Sequence, residues 1–143
     1  MQRLILKSFQ SPGDVVMLTA AVRDLHRAHP GQFQTDVRTS VDELWLHNPH
    51  LTPLEENGEG VETIDMHYPL IHQSNERPYH FLHGYPQYLE QRLGVPVPVS
   101  QFQGDIHLSD DERNAPIPGA DLGVTIPYRR YGFRSDRWRR HGK

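Results

Sequence analysis

The first loop of the chain carries the residues best placed to do chemistry. In the segment "LILKSFQSPGDVVMLTAAVRDLHRAHP", residues 4–30, an apolar run stops at a loop that holds one proline, one glycine and one acid, and an amphipathic stretch begins at once. Ser11 can cap a helix there, with Pro12 at the first helical position and Asp14 at the third. Asp14 then has two alternative roles, which are to stabilise the positive end of the helix or to accept a proton from a substrate hydroxyl.

The same loop lacks the common nucleotide-binding motifs. Gly13 is its single glycine, so neither the three-glycine dinucleotide pattern nor a Gly-Lys-Ser/Thr phosphate loop is present. What remains is a helix N-terminus with free N–H groups beside a carboxylate. Asp14 could therefore accept a proton from a hydroxyl, with Ser11 and Gly13 in contact with the substrate, or it could be a capping residue alone, which the spacing by itself favours.

Strands and helices alternate in the part of the chain that must position this loop. The apolar spacing predicts strands over 3–9, 32–40 and 62–70, with the third alternating Ile64, Met66, Tyr68 and Leu70. A helix with Val15, Leu18, Val22 and Leu25 on one face follows the first strand. This order predicts an α/β fold, an open and mostly parallel Rossmann-like sheet with helices on both faces. In such sheets the ligand lies beyond the carboxyl ends of the strands, where residues 9–14 are expected.

Shorter elements fill the remainder of the domain. Ser40 and Glu43 have capping-box spacing for a short helix, and a short strand is expected near residues 51–54. Residues 79–94 have helical spacing that ends at Gly94, with Pro86 starting or kinking the helix. Beyond them we expect extended chain over 96–102 and a capped turn over 109–112.

Length and composition set the class of protein. With 143 residues and 36% hydrophobic content, one ordinary domain is expected, which we place at residues 1–113, followed by a linker and basic tail at 114–143. The absence of cysteine excludes disulfides, thiolate metal sites and cysteine nucleophiles. Only three consecutive apolar residues follow Arg3, far fewer than a signal peptide contains, so we expect a soluble cytoplasmic protein.

Charge is distributed unevenly along the chain. Residues 128–143 carry seven Lys and Arg against one acid, hence +6, whereas residues 1–127 carry eight against 17, hence −9. Six arginines interleaved with aromatic residues could contact nucleic acid or an anionic membrane surface, or form a merely exposed end. Because the acidic body repels polyanions, we expect an exposed end with at most weak membrane contact and no nucleic-acid binding.

Ten histidines are the unusual feature of the composition. Three pairs have a spacing of three that is compatible with a shared metal ion, namely His26/His29, His47/His50 and His80/His83. None contains the Glu of an HExxH motif, and we expect no metal site. His80 and His83 precede Gly84 and Tyr85 in a polar turn, and we expect His80, His83 and Tyr85 to line a substrate pocket. A solvated helix start is the alternative.

Three segments in order resemble one enzyme family. The opening segment is similar to the first strand, Gly-Asp-Val loop and helix of glycosyltransferase family 9, the ADP-heptose:lipopolysaccharide heptosyltransferase-like enzymes. "HNPHL" resembles that family's Asn-Pro-hydrophobic element, and "YHFLHGYPQYLEQRLGVPVP" its helix ending in Leu-Gly-hydrophobic-Pro. The resemblance covers roughly residues 3–113, and Pro12 departs from the residue that more often precedes the glycine.

This resemblance implies one half of a GT-B glycosyltransferase active in lipopolysaccharide biosynthesis. The chain would be the acceptor-side half of an inverting enzyme that moves a sugar such as heptose from a nucleotide-sugar donor to a hydroxyl of a glycan or protein. Asp14 matches the family's proposed general base, and no cofactor or metal is implied. Because the donor-binding half has no counterpart here, we expect the 143-residue chain alone to be inactive. The alternative is a non-catalytic α/β binding or interaction module.

Overall fold

The fold is taken from a computed structural model, which describes residues 1–68, 76, 78 and 80–116. The chain divides into two compact units, Met1–Ser109 and Asp110–Lys143. The first unit contains the sheet and the loops that concern function.

A three-stranded parallel sheet forms the centre of the first unit. Its strands are β1 (Gln2–Ser8), β2 (Phe33–Thr39) and β3 (Val61–Asp65), in the spatial order β2-β1-β3. Residues 4–6 of the central strand are completely buried, as expected for a parallel strand that is covered on both faces. The predictions of an α/β fold and of a parallel sheet are confirmed. The strand expected near residues 51–54 is reduced to a single bridge between Leu51 and Thr35.

Helix α1 (Pro12–Ala28) packs against this sheet with the face that the sequence predicts. Val15, Leu18, Val22 and Leu25 are all fully buried and belong to one core cluster with Leu4, Leu6 and Ile64. Spacings of three and four place these side chains on one stripe of the helix.

The capping box predicted at residues 40–43 is wrong. A 3₁₀ helix does form over Asp42–Trp45, but its first flanking residue is Val41 and no side chain caps it. The Ser40 hydroxyl instead donates to the Gln10 carbonyl oxygen at 2.6 Å, which ties the loop after β2 to the loop after β1. A tertiary hydrogen bond has displaced the local one.

The predicted helix near residues 79–94 is present in two parts. A 3₁₀ helix over Phe81–His83 runs directly into α2 (Gly84–Leu93). Pro86 lies in the first turn of α2, where a backbone N–H has no helical partner, and Gly94 ends the helix with a φ of 68°. Tyr79, the first residue of the predicted helix, lies outside the described residues.

Residues 97–108, which we call the strap, lie along α1 and are held by a buried ion pair. Arg23 and Asp24, each 1% exposed, pair at 2.9 Å. The Arg23 guanidinium donates to the carbonyl oxygens of Gln101 and Gln103, both at 2.9 Å. Asp24 accepts from the Ser100 hydroxyl at 2.6 Å, and Val97 at the start of the strap is buried in the core cluster.

In the second unit the described residues form one short helix, α3 (Asp110–Asn114). It lies where a capped turn over 109–112 was predicted. The proposed linker from residue 117 onward and the basic tail at 128–143 lie outside the described residues, as does Leu70 of the predicted third strand. None of the helices in the described part of the chain is long and apolar enough to cross a membrane.

Candidate functional site

The loop between β1 and α1 lies at the carboxyl edge of the sheet. From β1 the chain passes through α1 to β2 on one side, and β3 pairs on the other side of β1. The order of the strands therefore reverses at the carboxyl ends of β1 and β3. Open α/β sheets place their ligands in the crevice at this topological switch point.

Asp14 stands at the start of α1 as predicted, but its hydrogen bonding differs from a helix cap. Ser11 is the N-cap residue, with an extended backbone, and Pro12 is the first helical residue. The Ser11 side chain makes no capping hydrogen bond to the backbone, and its hydroxyl donates to Asp14 Oδ2 at 2.6 Å. The Ser-x-x-Asp spacing therefore joins two side chains, and Asp14 Oδ1 has no hydrogen-bond partner among the described residues.

A small pocket lies in front of this carboxylate. It has a volume of about 220 Å³ and is lined by Gly13, Asp14, Met17, Tyr68 and Phe81. We call it the Asp14 pocket. Residues after β1 form one wall, and the other wall comes from the chain after β3. The pocket thus occupies the crevice that the reversal of strand order creates.

Two aromatic residues fix the wall opposite α1. The rings of Tyr68 and Phe81 stack with centroids 6.3 Å apart and planes 18° apart. The Tyr68 hydroxyl donates to the Phe81 carbonyl oxygen, and the Tyr68 ring is 5% exposed. Gly84 lies directly against Tyr68, since a Cβ at this position would be 2.2 Å from Tyr68 Cε2. The wall is therefore tightly packed before any ligand arrives.

Tyr85 lies behind that wall and does not line the Asp14 pocket. Its ring is completely buried, 5.0 Å from the Tyr68 ring. Its hydroxyl lies 3.3 Å from Ser8 Oγ and donates to Gln10 Oε1 at 3.1 Å, which fixes the end of β1 and the loop after it. Burial raises the pKa of the Tyr85 phenol, and the hydrogen bond with Ser8 and the negative charge of Asp14 act on it in opposite directions.

His80 and His83 flank the wall of the pocket on either side of Phe81. His80 Nδ1 accepts from the Leu82 backbone N–H at 3.2 Å, so this side chain caps the 3₁₀ helix. Both imidazoles form T-shaped contacts with the ring of Phe102 in the strap, at 5.2 and 5.6 Å between centroids. Neither histidine is among the lining residues of the Asp14 pocket, so their role in a substrate site stays a prediction, and the contact with Phe102 was not predicted.

The other histidines combine differently from the pairs seen in the sequence. His26 stacks on His50 at 5.1 Å, and the Asp105 carboxylate lies 3.7 Å from His50 Nε2 and 3.0 Å from His107 Nε2. Burial, and secondarily the neighbouring His50, lowers the pKa of His26. Burial also lowers the pKa of His50, opposed by Asp105. Within residues 1–68, 76, 78 and 80–116, no group of three His, Asp or Glu side chains could hold a metal ion.

Of the predicted site residues, the structure brings Gly13 and Asp14 together in the pocket, with Ser11 bonded to the acid. Sequence reasoning did not find Met17, Tyr68 and Phe81. Met17 carried a detectable signal, because it lies three residues after Asp14 and so shares its helix face. Tyr68 and Phe81 were assigned to a strand and a helix, and nothing local indicated that both would meet the first loop.

Comparisons with protein-family models, with curated proteins and with solved structures gave no match to this chain.

Proposed function

We propose that this chain is the acceptor-side half of an inverting glycosyltransferase similar to family 9. The observation that supports the proposal best is the position of Asp14, a carboxylate at the switch point of a parallel sheet that lines a pocket. The resemblance of residues 3–113 to that family adds the reaction class, a GT-B architecture with a Rossmann-like first half, and a place in lipopolysaccharide biosynthesis. The proposal also assigns the protein to the cytoplasm.

In the proposed reaction Asp14 is the general base. The Ser11 hydroxyl holds Oδ2, and Oδ1 accepts the proton of the acceptor hydroxyl as that oxygen bonds to the anomeric carbon of the sugar. The bond from the anomeric carbon to the nucleotide phosphate breaks on the opposite face, so the configuration inverts. The proton ends on the carboxylate and the electron pair on the leaving nucleotide.

The pocket supplies orientation in this scheme. Phe81, which is 49% exposed, offers an apolar ring to a sugar or another ring, and Gly13 leaves the backbone of the first helical turn open. Positioning of the two reactants supplies a large part of the rate enhancement of group-transfer enzymes. The donor would be held by a second domain, and the 143-residue chain alone should bind acceptor without turnover.

A transfer assay with a panel of nucleotide sugars and of glycan and peptide acceptors tests the proposal, using the longest product of the gene. Asp14→Asn removes the base and keeps the shape of the side chain, so kcat should fall roughly a hundred- to ten-thousand-fold. Asp42→Asn is the matched control, because Asp42 is an exposed acid in another first helical turn. Turnover by Asp14→Asn at the parent rate would remove Asp14 from the mechanism.

The alternative, a non-catalytic binding module, is favoured by one observation. The hydrogen bond from Ser11 to Asp14 Oδ2 satisfies part of the carboxylate locally, as in a purely structural turn. A module of this kind would bind an acceptor-like ligand, and no product of the gene, whatever its length, would bind a nucleotide-sugar donor. Donor binding, measured by calorimetry on the longest product, separates the two proposals.

A further inference from the structure

The Asp14 pocket combines one carboxylate with apolar and aromatic walls. Gly13, Met17, Tyr68 and Phe81 offer no charged group, so Asp14 is the single charged side chain among the lining residues. A carboxylate that lines a mainly apolar crevice gives the pocket a negative potential. The aromatic residues Tyr68 and Phe81 line the same pocket.

No cation of the described residues neutralises this carboxylate. The ion pairs formed by residues 1–68, 76, 78 and 80–116 involve other acids, and the hydrogen-bond partner of Asp14 is the neutral Ser11 hydroxyl. Residues 1–109 carry seven Lys and Arg against 13 acids, hence −6, so the surrounding unit reinforces the negative potential. A cationic ligand would complete the site electrostatically.

We propose that the Asp14 pocket binds a small organic cation, namely an alkylated or primary ammonium head group. The ammonium would pair with the Asp14 carboxylate, and its methyl or methylene groups would pack on Met17 and on the rings of Tyr68 and Phe81. Ammonium ions are recognised in this way by aromatic rings together with an acid. The volume of about 220 Å³ is below the roughly 300–1,000 Å³ of sites for drug-sized ligands, so the pocket suits a head group rather than a large molecule.

The wall is arranged before binding, which favours a measurable affinity for so small a ligand. The Tyr68 hydroxyl is bonded to the backbone of Phe81, and Gly84 and Tyr85 pack against the Tyr68 ring. Little conformational entropy is therefore lost when a cation enters. Phe81 is 49% exposed, so one ring remains open at the entrance.

This inference rests on the pocket and is independent of glycosyl transfer. An ammonium paired with Asp14 would occupy the proposed base, so in an active transferase it would compete with the acceptor hydroxyl. If choline does not bind, glycosyl transfer can still be observed in the transfer assay. If no transfer is observed, choline binding can still be measured by titration. The two proposals therefore fail separately.

The test is an NMR titration of the 143-residue chain with choline and with 3,3-dimethyl-1-butanol, its neutral isostere in which carbon replaces nitrogen. Choline should shift the amide signals of residues 13–17 and Phe81. The neutral isostere should bind at least about tenfold more weakly than choline, because the charged contact with Asp14 is lost. Equal affinity of the two compounds would overturn the proposal, and so would the absence of choline binding at millimolar concentrations.

Two variants and one control locate the interaction. Asp14→Asn should weaken choline binding about tenfold, and Phe81→Leu roughly three- to tenfold through loss of the cation–π contact. Asp42→Asn should leave the affinity unchanged. If Asp14→Asn and Asp42→Asn weaken binding equally, choline is responding to the net charge of the protein and the specific site is refuted.

Discussion

Replacing Gly84 with alanine tests whether the wall of the Asp14 pocket is as tightly packed as the structure shows. A Cβ at residue 84 would lie 2.2 Å from Tyr68 Cε2 and 2.6 Å from Cδ2, whereas carbon atoms in favourable contact are about 3.5–4.0 Å apart. The ring has little room to move, because it is 5% exposed and packs on Tyr85 and Phe81. The clash should therefore displace α2 or the ring.

The magnitude follows from two opposing effects. Overpacking of a core costs about 1–3 kcal/mol. The backbone of Gly84 is helical, with φ −61° and ψ −58°, so alanine meets no backbone strain and would gain at most about 1 kcal/mol of helix propensity. Gly84 is the first residue of α2, where this gain is smallest. We expect a net loss of about 1–2 kcal/mol in the free energy of unfolding.

Gly13→Ala is the matched control for this experiment. Gly13 is the second residue of α1, and a Cβ there meets no atom within 4 Å. Its effect on stability should be neutral or stabilising by up to about 1 kcal/mol. Urea unfolding followed by tryptophan fluorescence measures both variants on the same scale. A Gly84→Ala variant as stable as Gly13→Ala would show that the packing around Tyr68 is loose and that the pocket wall is not fixed.

Three further predictions concern other parts of the chain. Burial lowers the pKa values of His26 and His50, so below pH 6.5 the folded state binds fewer protons than the unfolded state. The free energy of unfolding should therefore be highest above pH 6.5 and decrease as the pH falls below that value. Urea midpoints measured at pH 7.5 and at pH 5.5 will show the difference. Arg23→Met leaves the buried Asp24 carboxylate without its charged partner and should lower the free energy of unfolding by about 3–5 kcal/mol. Arg92→Met removes an exposed, solvated ion pair and should lower it by about 1 kcal/mol or less. Similar melting temperatures for the two variants would contradict this prediction. Deletion of residues 128–143 should leave the circular dichroism spectrum of the folded unit unchanged, and an unfolded product would show that the tail belongs to the core.

The elements that the sequence predicts well are those specified by neighbours along the chain. The spacing of Val15, Leu18, Val22 and Leu25 identifies the buried face of α1, and Gly94 identifies the end of α2. Both signals depend on the 3.6-residue period and on local backbone geometry. The loop of Asp14 was located in the same way, because a strand followed by a capped helix places it at the carboxyl edge of the sheet.

The features that the sequence did not predict depend on contacts between distant residues. The Ser40 hydroxyl bonds to Gln10 rather than to its own helix, and the partners of the Asp14 pocket, Tyr68 and Phe81, follow β3 in the chain. The strap was expected only as extended chain, with no indication that Arg23 would bind it. The pattern of a single sequence indicates hydrophobic periodicity and helix-capping residues. It carries no information on which side chains that are distant in the chain come into contact.

The strap has a consequence for the order in which the molecule folds. The carbonyl groups that satisfy the Arg23 guanidinium lie 78 and 80 residues later in the chain, so this contact closes one of the longest loops in the first unit. The β1-α1-β2 segment can assemble from local contacts while Arg23 and Asp24 are still solvated, and the strap then docks onto it. Closing so long a loop costs entropy before the contact forms, so we expect the strap to dock late and to be a separate unit of local unfolding. Hydrogen exchange should release the Ser100 and Asp105 amides, which bond to α1 side chains, well before those of β1.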